Sequence, residues 1–517
     1  MKTKIKIIIL ILAAVIFTSC SDWFEVTSSN EIREKDHFSS DIGFQQSLTG
    51  CYIAMSQNAL FGKNLTWYVP VLMANETADF ASAGSNIEVY SESSFQKHIY
   101  TNTGSKPIVE AIWASSYSVI ANVNATLANI DTKQQDLNPI NYHIVKGELL
   151  AIRALMHFQL WRLFGYGDWS NRKGELDAKR TIPYVTTVTK EITEQATGAE
   201  VFQHLVNDLS EAEGLLKDFD PVCGVYAQNY YDEVNESGYY NNRNSRLNYY
   251  AVKGLLAQVY LWEGSPNSIN AALRISQEII NDIEGGKAIY FDGLNTFILH
   301  FLDAQSLTGT NSSMAEEALF SLRAQDLTSS ISDYFKPSYK DTDFKTYYLP
   351  TSVAANLYDD ADTEEDETAT DIRFSRLLNF NANAGNKIGY ALIKLYQATL
   401  DYYNVNKVSV IRLPEIYYIA AECYARSTNP NMQKAVEMLS TVRNKRGLYT
   451  PISANISINE FMKQLQKEYC KEFLGEGEVF YLYKRLGVKN IPSHDDMNDS
   501  DYLLPFPDFE IQAGRLQ

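Results

Sequence analysis

Histidine, cysteine and glycine motifs that would support catalysis are scarce in this chain of 517 residues. Its seven histidines (His37, His98, His143, His157, His204, His300 and His494) never fall three or four apart, which excludes the helical zinc-protease pattern. No CxxC pair, phosphate-binding glycine loop or nucleophile-elbow serine is present. Gly475-Glu476-Gly477 lacks the third glycine and the preceding strand of a dinucleotide loop. In the acidic run Asp359–Asp371, Glu365 stands where a calcium loop begun at Asp360 needs glycine, so the run reads as a solvated loop. A glycosidase needs two facing carboxylates, and among 63 acids no pair is singled out. No catalytic residue, metal or cofactor is therefore expected. Basic residues are also short, 45 Lys and Arg against 63 acids, and a net charge of −18 excludes a nucleic-acid binder. What abounds is aromatic: 34 Tyr, 24 Phe and 6 Trp, in a chain whose 45% hydrophobic content is that of a globular protein. Tyrosine excess suits surfaces for semi-polar ligands and equally suits helical cores with wet edges.

Only one apolar run is prominent, Ile7–Phe17, and its eleven residues fall short of the roughly twenty that cross a membrane. It follows Lys2, Lys4 and Lys6 and ends in Thr18-Ser19-Cys20, the layout of a secretory signal over residues 1–19. The terminal cysteine after small residues resembles a bacterial lipobox, in which Cys20 becomes the acylated (palmitate-bearing) first residue. Cleavage removes three lysines and no acid, so the mature charge becomes −21. Each buried methylene of an acyl chain contributes about 0.8 kcal/mol, and several chains on Cys20 hold a folded domain at a membrane. The remaining cysteines, Cys51, Cys223, Cys423 and Cys470, allow three pairings that spacing does not resolve. Cys423 and Cys470 sit at apolar helix positions and read as buried thiols.

The rest reads mainly as helix. Val145, Leu149, Ile152, Met156, Leu160 and Leu163 recur at helical spacing within Tyr142–Phe164, and Leu247–Trp262 and Ile411–Ala425 repeat the pattern. Thr197 with Glu200 and Ser457 with Glu460 make capping boxes, the latter with Ile456 and Phe461 as a hydrophobic staple. Asn429-Pro430 reads as a helix start, and Arg443, Lys445, Arg446 and Gly447 as its stop. Helical pairs of this size predict a tetratricopeptide-like stack. Long polar, aromatic stretches at about 62–108, 218–246, 286–350 and 357–390 predict irregular loops with a few short strands. His157, on an apolar helix, reads as a core histidine.

Several segments in order resemble the RagB/SusD family of nutrient-binding outer-membrane lipoproteins. They are Ile112-Trp113 through Tyr117 with Asn122 and Asn124, Gly147-Glu148 through Gly165, Arg246 through Leu261, Asp371-Ile372-Arg373-Phe374, Arg412-Leu413-Pro414-Glu415-Ile416 through Glu422, Val442 through Gly447, and Glu472-Phe473 with Glu476-Gly477. Two departures stand out: Val479 and Leu482 replace a charged pair, and the turn after Phe164-Gly165 is lengthened. The resemblance implies a mainly α, SusD-like stack whose N-terminal half (20–240) and C-terminal half (241–517) form one unit. It implies a non-enzymatic lid that captures oligosaccharides and delivers them to a TonB-dependent (SusC-like) barrel, with surface exposure at the outer membrane. The same scaffold capturing peptides, a surface glycoside hydrolase and a purely structural subunit of the barrel are the alternatives. The motif charges Glu148, Arg153, Arg412, Glu415, Glu422 and Arg443 read as partners across the stack, since buried charges require pairing.

A sugar presents apolar C–H faces and hydroxyls, so its receptor wants rings flanked by polar groups. Two stretches answer. One holds Tyr226, Tyr230, Tyr231, Tyr239 and Tyr240, with Asn229, Asp232, Asn241, Asn242 and Arg243; the other holds Trp67 and Tyr68, followed by Asn75, Glu76 and Asp79. Tyr249 and Tyr250 belong to the following helix and read as core. The bland alternative for both stretches is rings packed beneath their own loops.

Overall fold

Asn138 and Pro139 start the 26-residue helix on which the fold is built: the Asn138 side chain accepts from the Ile140 N–H, and Pro139 needs no donor there. A computed structural model describes residues 36–78, 90–223, 234–291, 296–340, 345–358, 370–382 and 388–515. The principal helices are α1 (Asp41–Met55), α2 (Lys106–Ile130), α3 (Pro139–Phe164), α4 (Gly198–Lys217), α5 (Tyr249–Glu263), α6 (Pro266–Glu284), α7 (Leu413–Arg426), α8 (Met432–Lys445), α9 (Ile458–Phe473) and α10 (Glu478–Leu486). Each packs on the next from α1 to α8, and α9 returns onto α7. The outcome is the expected tetratricopeptide-like stack of helical hairpins. Gly147 lets α3 approach α4, because a Cβ there would lie 2.9 Å from Leu216 Cγ.

The local signals hold with one shift and one half-formed box, that of Ser457 and Glu460. Thr197 and Glu200 form the full capping box of α4. Ser457 accepts from the Glu460 N–H at the start of α9, with Phe461 buried below it. The α8 cap is Asn431, not Asn429: the Asn431 N–H bonds Tyr424 O, leaving Pro430 in the turn, and the Asn431 side chain accepts from Lys434 N. Gly447 ends that segment at φ +87°, where a side chain would strike Thr370 O. The lengthened turn after Gly165 carries a short helix, Trp169–Leu176, with Trp169 packed 5.2 Å from Trp161.

Short strands occupy the long loops. β1 (Ala318–Arg323) pairs antiparallel with β5 (Lys407–Arg412), which runs directly into α7. β2 (Tyr348–Pro350), β4 (Gly389–Leu392) and β3 (Leu378–Asn381) form a three-stranded antiparallel sheet in that spatial order. One apolar core extends from Phe38 to Leu504 and includes Tyr249, Tyr250, Val479 and Leu482. His157 is buried in it, stacked 3.9 Å from Tyr184. Its Nε2 accepts from Val185 N, Nδ1 lies 2.8 Å from Arg153 O, and burial holds its pKa down at about 3. Cys51, Cys223, Cys423 and Cys470 are free thiols. Among the described residues no helix is long and apolar enough to cross a membrane.

The motif charges are paired as buried groups must be. Arg153 grips Asp208 at 2.6 and 2.8 Å, and Arg243 bridges Glu148 and Asp220. Arg485 holds Glu422, and Arg443 holds Glu468. Arg412 reaches Glu317, Glu472 and Glu476, while Arg446 shares the first two. Glu415 differs, because it is held by two neutral donors, Gln258 at 2.7 Å and Tyr469 at 3.2 Å. Burial, helped by nearby Glu478, raises its pKa to about 8.

Candidate ligand-binding surface

The turn at Gly62–Trp67 folds back on itself, with Trp67 Nε1 donating to Gly62 O at 3.0 Å. This brings Trp67 and Tyr68 against Tyr334, Phe335 and Tyr347, up to 280 positions away. Trp67 lies 5.3 Å from Tyr334 and 6.3 Å from Phe335, and Tyr68 lies 5.6 Å from Tyr334. Tyr347 closes the group by donating to Trp67 O at 2.9 Å. The box is occupied: Lys63 Nζ stands 4.0 Å from the centre of the Tyr68 ring and 5.6 Å from that of Tyr334. Burial lowers the Lys63 pKa, and Glu92 opposes the shift. Glu92 accepts from Tyr334 OH at 2.6 Å and from Ser91 Oγ at 3.3 Å.

Trp67 and Tyr68 are thus buried, at 0% and 1% exposure, and their faces serve the protein. Their polar neighbours are equally engaged. Asn75 donates to Gln96 O, and Glu76 accepts from Gly475 N at 2.7 Å. Asp79 lies outside the described residues.

Tyr226, Tyr230 and Tyr231, with Asn229 and Asp232, also lie outside them. The members of that stretch that are described brace the fold. Tyr239 donates to Gln45 O at 3.1 Å and carries the Arg246 guanidinium 4.8 Å from its ring centre. Tyr240 is buried with its hydroxyl on Asn141, and Arg243 is locked between Glu148 and Asp220. The physical reason is shared: each ring or cation is covered by a segment distant in sequence.

The structure exposes other rings that sequence reading missed. Tyr90 is 46% exposed beside Ser91, whose Oγ meets Tyr68 OH. Ala78 N bonds Tyr348 O, which attaches this segment to β2. Tyr348 in turn packs 4.8 Å from Tyr339. On the sheet, Phe380 pairs across strands with Tyr390 at 5.2 Å. Phe374 follows at 4.9 Å and Tyr358 at 5.1 Å, a series rising from a buried Tyr358 to a 51%-exposed Phe380. Asn381 fixes this edge by donating to Tyr339 O at 2.6 Å. The available signal was Asn379-Phe380-Asn381, a ring alternating with amides as in a half-exposed strand. The arrangement can stack a flat apolar face, while the flanking amides of Asn379 and Asn381 are spent on Pro337 O and Tyr339 O. Among the described residues no group of three or more His, Cys, Asp or Glu is placed to hold a metal.

The fold is thus a helical-repeat stack whose long loops carry exposed rings. Two family models together span nearly all of the chain: one described as SusD-like, starch-binding and associating with the outer membrane over residues 22–221, the other as the SusD family over residues 225–503. The chain belongs to the SusD family. Among solved structures it is similar to a SusD superfamily protein of Bacteroides thetaiotaomicron, with a TM-score of 0.69 at 21% identity over 92% of this chain and 99% of that one. It is also similar to a SusD-like carbohydrate-binding protein of Bacteroides vulgatus, with a TM-score of 0.67 at 17% identity over 92% and 97%. A SusD superfamily protein of Parabacteroides distasonis gives 0.59 at 17% identity over 91% and 98%. These likenesses show the fold. No curated protein matches significantly.

Proposed function

We propose that the protein is a surface lipoprotein, acylated at Cys20, which captures oligosaccharides and hands them to a TonB-dependent (SusC-like) barrel. The observation that carries this reading is that rings open to solvent, Tyr90 and Phe380 with half-buried Tyr390 among them, stand on the scaffold of a family whose model is described as starch-binding. Stacking on such a ring contributes about 1 kcal/mol, by analogy with aromatic pairs. Rigid rings lose little conformational entropy when they do so. Tyr226, Tyr230 and Tyr231, which lie outside the described residues, join the proposal as further candidate contacts. The lipobox supports the anchor, and the mature charge of −21 disfavours polyanionic glycans as ligands.

The test is calorimetry of the mature chain, begun after Cys20, against neutral oligosaccharides and against peptides. Saturable heat with sugars alone supports the proposal. Binding of peptides alone would replace it with the peptide-capturing alternative, and turnover of any ligand would make the protein an enzyme. Fractionation completes the test, since Cys20→Ala is expected to release the protein from the membrane.

A further inference from the structure

Between α3, α5, α7, α9 and α10 lies a cavity of about 40 Å³, lined by apolar side chains such as Phe158, Leu261 and Leu482 and by an unusual set of polar ones. Arg162 Nε, Trp262 Nε1 and Tyr481 OH, all from residues that line it, are buried without a hydrogen-bond partner in the protein. Their residues are only 2–4% exposed. Buried polar groups in folded proteins are almost always satisfied by protein or by ordered water. We infer that this cavity is a built hydration site, in which a small water cluster joins Arg162, Trp262 and Tyr481.

The chemistry of the lining selects water over an ion. The indole and the guanidinium nitrogen can only donate, so the occupant must accept. An anion would accept, but it would face the carboxyl groups of Glu415, Glu422 and Glu478. A cation would face Arg162, Arg485 and the two N–H donors. Water accepts from the donors and donates onward to carboxylate lone pairs. Those lone pairs exist, since Glu415 takes one protein donor on each oxygen, Tyr469 on Oε1 and Gln258 on Oε2. Arg162 spends its terminal nitrogens on Glu478, at 2.8 and 3.3 Å, and has Nε to spare. Size agrees, because one water needs roughly 10–15 Å³ of such volume and the cavity accommodates about three. The site therefore ties three helices, α3, α5 and α10, through a shared polar bridge.

Two measurements test the inference, both on the mature chain. Tyr481→Phe deletes a hydroxyl and conserves the ring. If water bonds this hydroxyl, the variant melts about 1–3 °C lower. If the hydroxyl has no partner, deleting it leaves the melting temperature unchanged or raises it, and the inference fails. A crystal structure that shows ordered water is expected to place density within hydrogen-bond distance of Arg162 Nε and Trp262 Nε1. A dry cavity, an ion in it, or donors rotated onto protein acceptors would overturn it.

Discussion

Lys63 holds its ammonium 4.0 Å from the centre of the Tyr68 ring, so the aromatic box at this end of the molecule is filled by the chain's own cation. The relationship turns two apparent ligand residues into structural ones. Lys63→Met removes a partly desolvated cation–π contact and is expected to lower stability by about 1–2 kcal/mol. Trp67→Ala empties a fully buried ring site and costs about 3–5 kcal/mol. Urea unfolding followed by circular dichroism checks both. A Trp67 variant as stable as the parent would show that the box is not the packed element described.

Glu472 is the acid shared by Arg412 and Arg446, each at 2.8 Å, deep in the C-terminal half. Removing one member of such a network leaves cations buried and unneutralised. Glu472→Ala is expected to lose about 3–5 kcal/mol, read as a lower urea midpoint at unchanged slope. A loss below about 1 kcal/mol would mean that solvent reaches the cluster.

How far the sequence revealed all this depends on the distance over which each residue is held. Thr197 and Glu200 cap a helix with atoms three residues apart, and the box was legible. The pairing of the motif charges was legible in kind, since burial demands it, but their partners were not: the β1–β5 ladder sets Ala318 opposite Arg412 and so brings Glu317, 95 residues away in sequence, to the guanidinium. Glu415 reads in sequence like its charged neighbours, yet Gln258 and Tyr469, its hydrogen-bond donors, come from other helices. Trp67 and Tyr68 look like surface rings because their flanks are polar. Tyr334 and Tyr347 cover them, and periodicity carries no information about contacts so remote.

The buried titratable groups set a pH profile whose sign can be worked out. Burial raises Glu76 and Glu415 from the usual 4.5 to about 8, so the folded state binds their protons more tightly, and stability falls as pH climbs between those values. Burial lowers His98 to about 4 and His157 to about 3 from 6.5, so their contribution is lost as pH drops below 6.5. From 4.5 to 6.5 the two pairs oppose one another, and the profile is expected to be flat. Above 6.5 the histidines no longer act and the two acids lower stability towards pH 8, opposed by the buried lysines Lys63, Lys394 and Lys484, whose pKa values burial lowers. Below 4.5 stability declines again, because the histidines then act unopposed and Glu422, which Arg485 and Arg426 hold at about 2 against the effect of burial, must take up protons. Melting temperatures from about pH 4 to about pH 9 test this, and Glu76→Gln should flatten the alkaline limb while its carbonyl still accepts from Gly475.

Exposure separates the rings that can meet a ligand from those that cannot. Tyr90 and Phe380 present roughly half their surface to solvent, whereas Tyr68 and Tyr240 present almost none. Tyr90→Ala and Phe380→Ala should therefore leave the melting temperature within about 1 °C of the parent, since exposed substitutions change stability little. Each should weaken a bound oligosaccharide by about 2–10-fold, the equivalent of one stacking contact of 0.5–1.5 kcal/mol. Tyr240→Ala should do the reverse, lowering the melting temperature through its lost packing and its bond to Asn141 before any effect on affinity is seen. Calorimetry and thermal melts on the same preparations give both readouts. If Tyr90→Ala and Phe380→Ala keep full affinity while Tyr226, Tyr230 and Tyr231 replaced together abolish it, recognition belongs to the 226–231 loop and the sheet rings serve another contact.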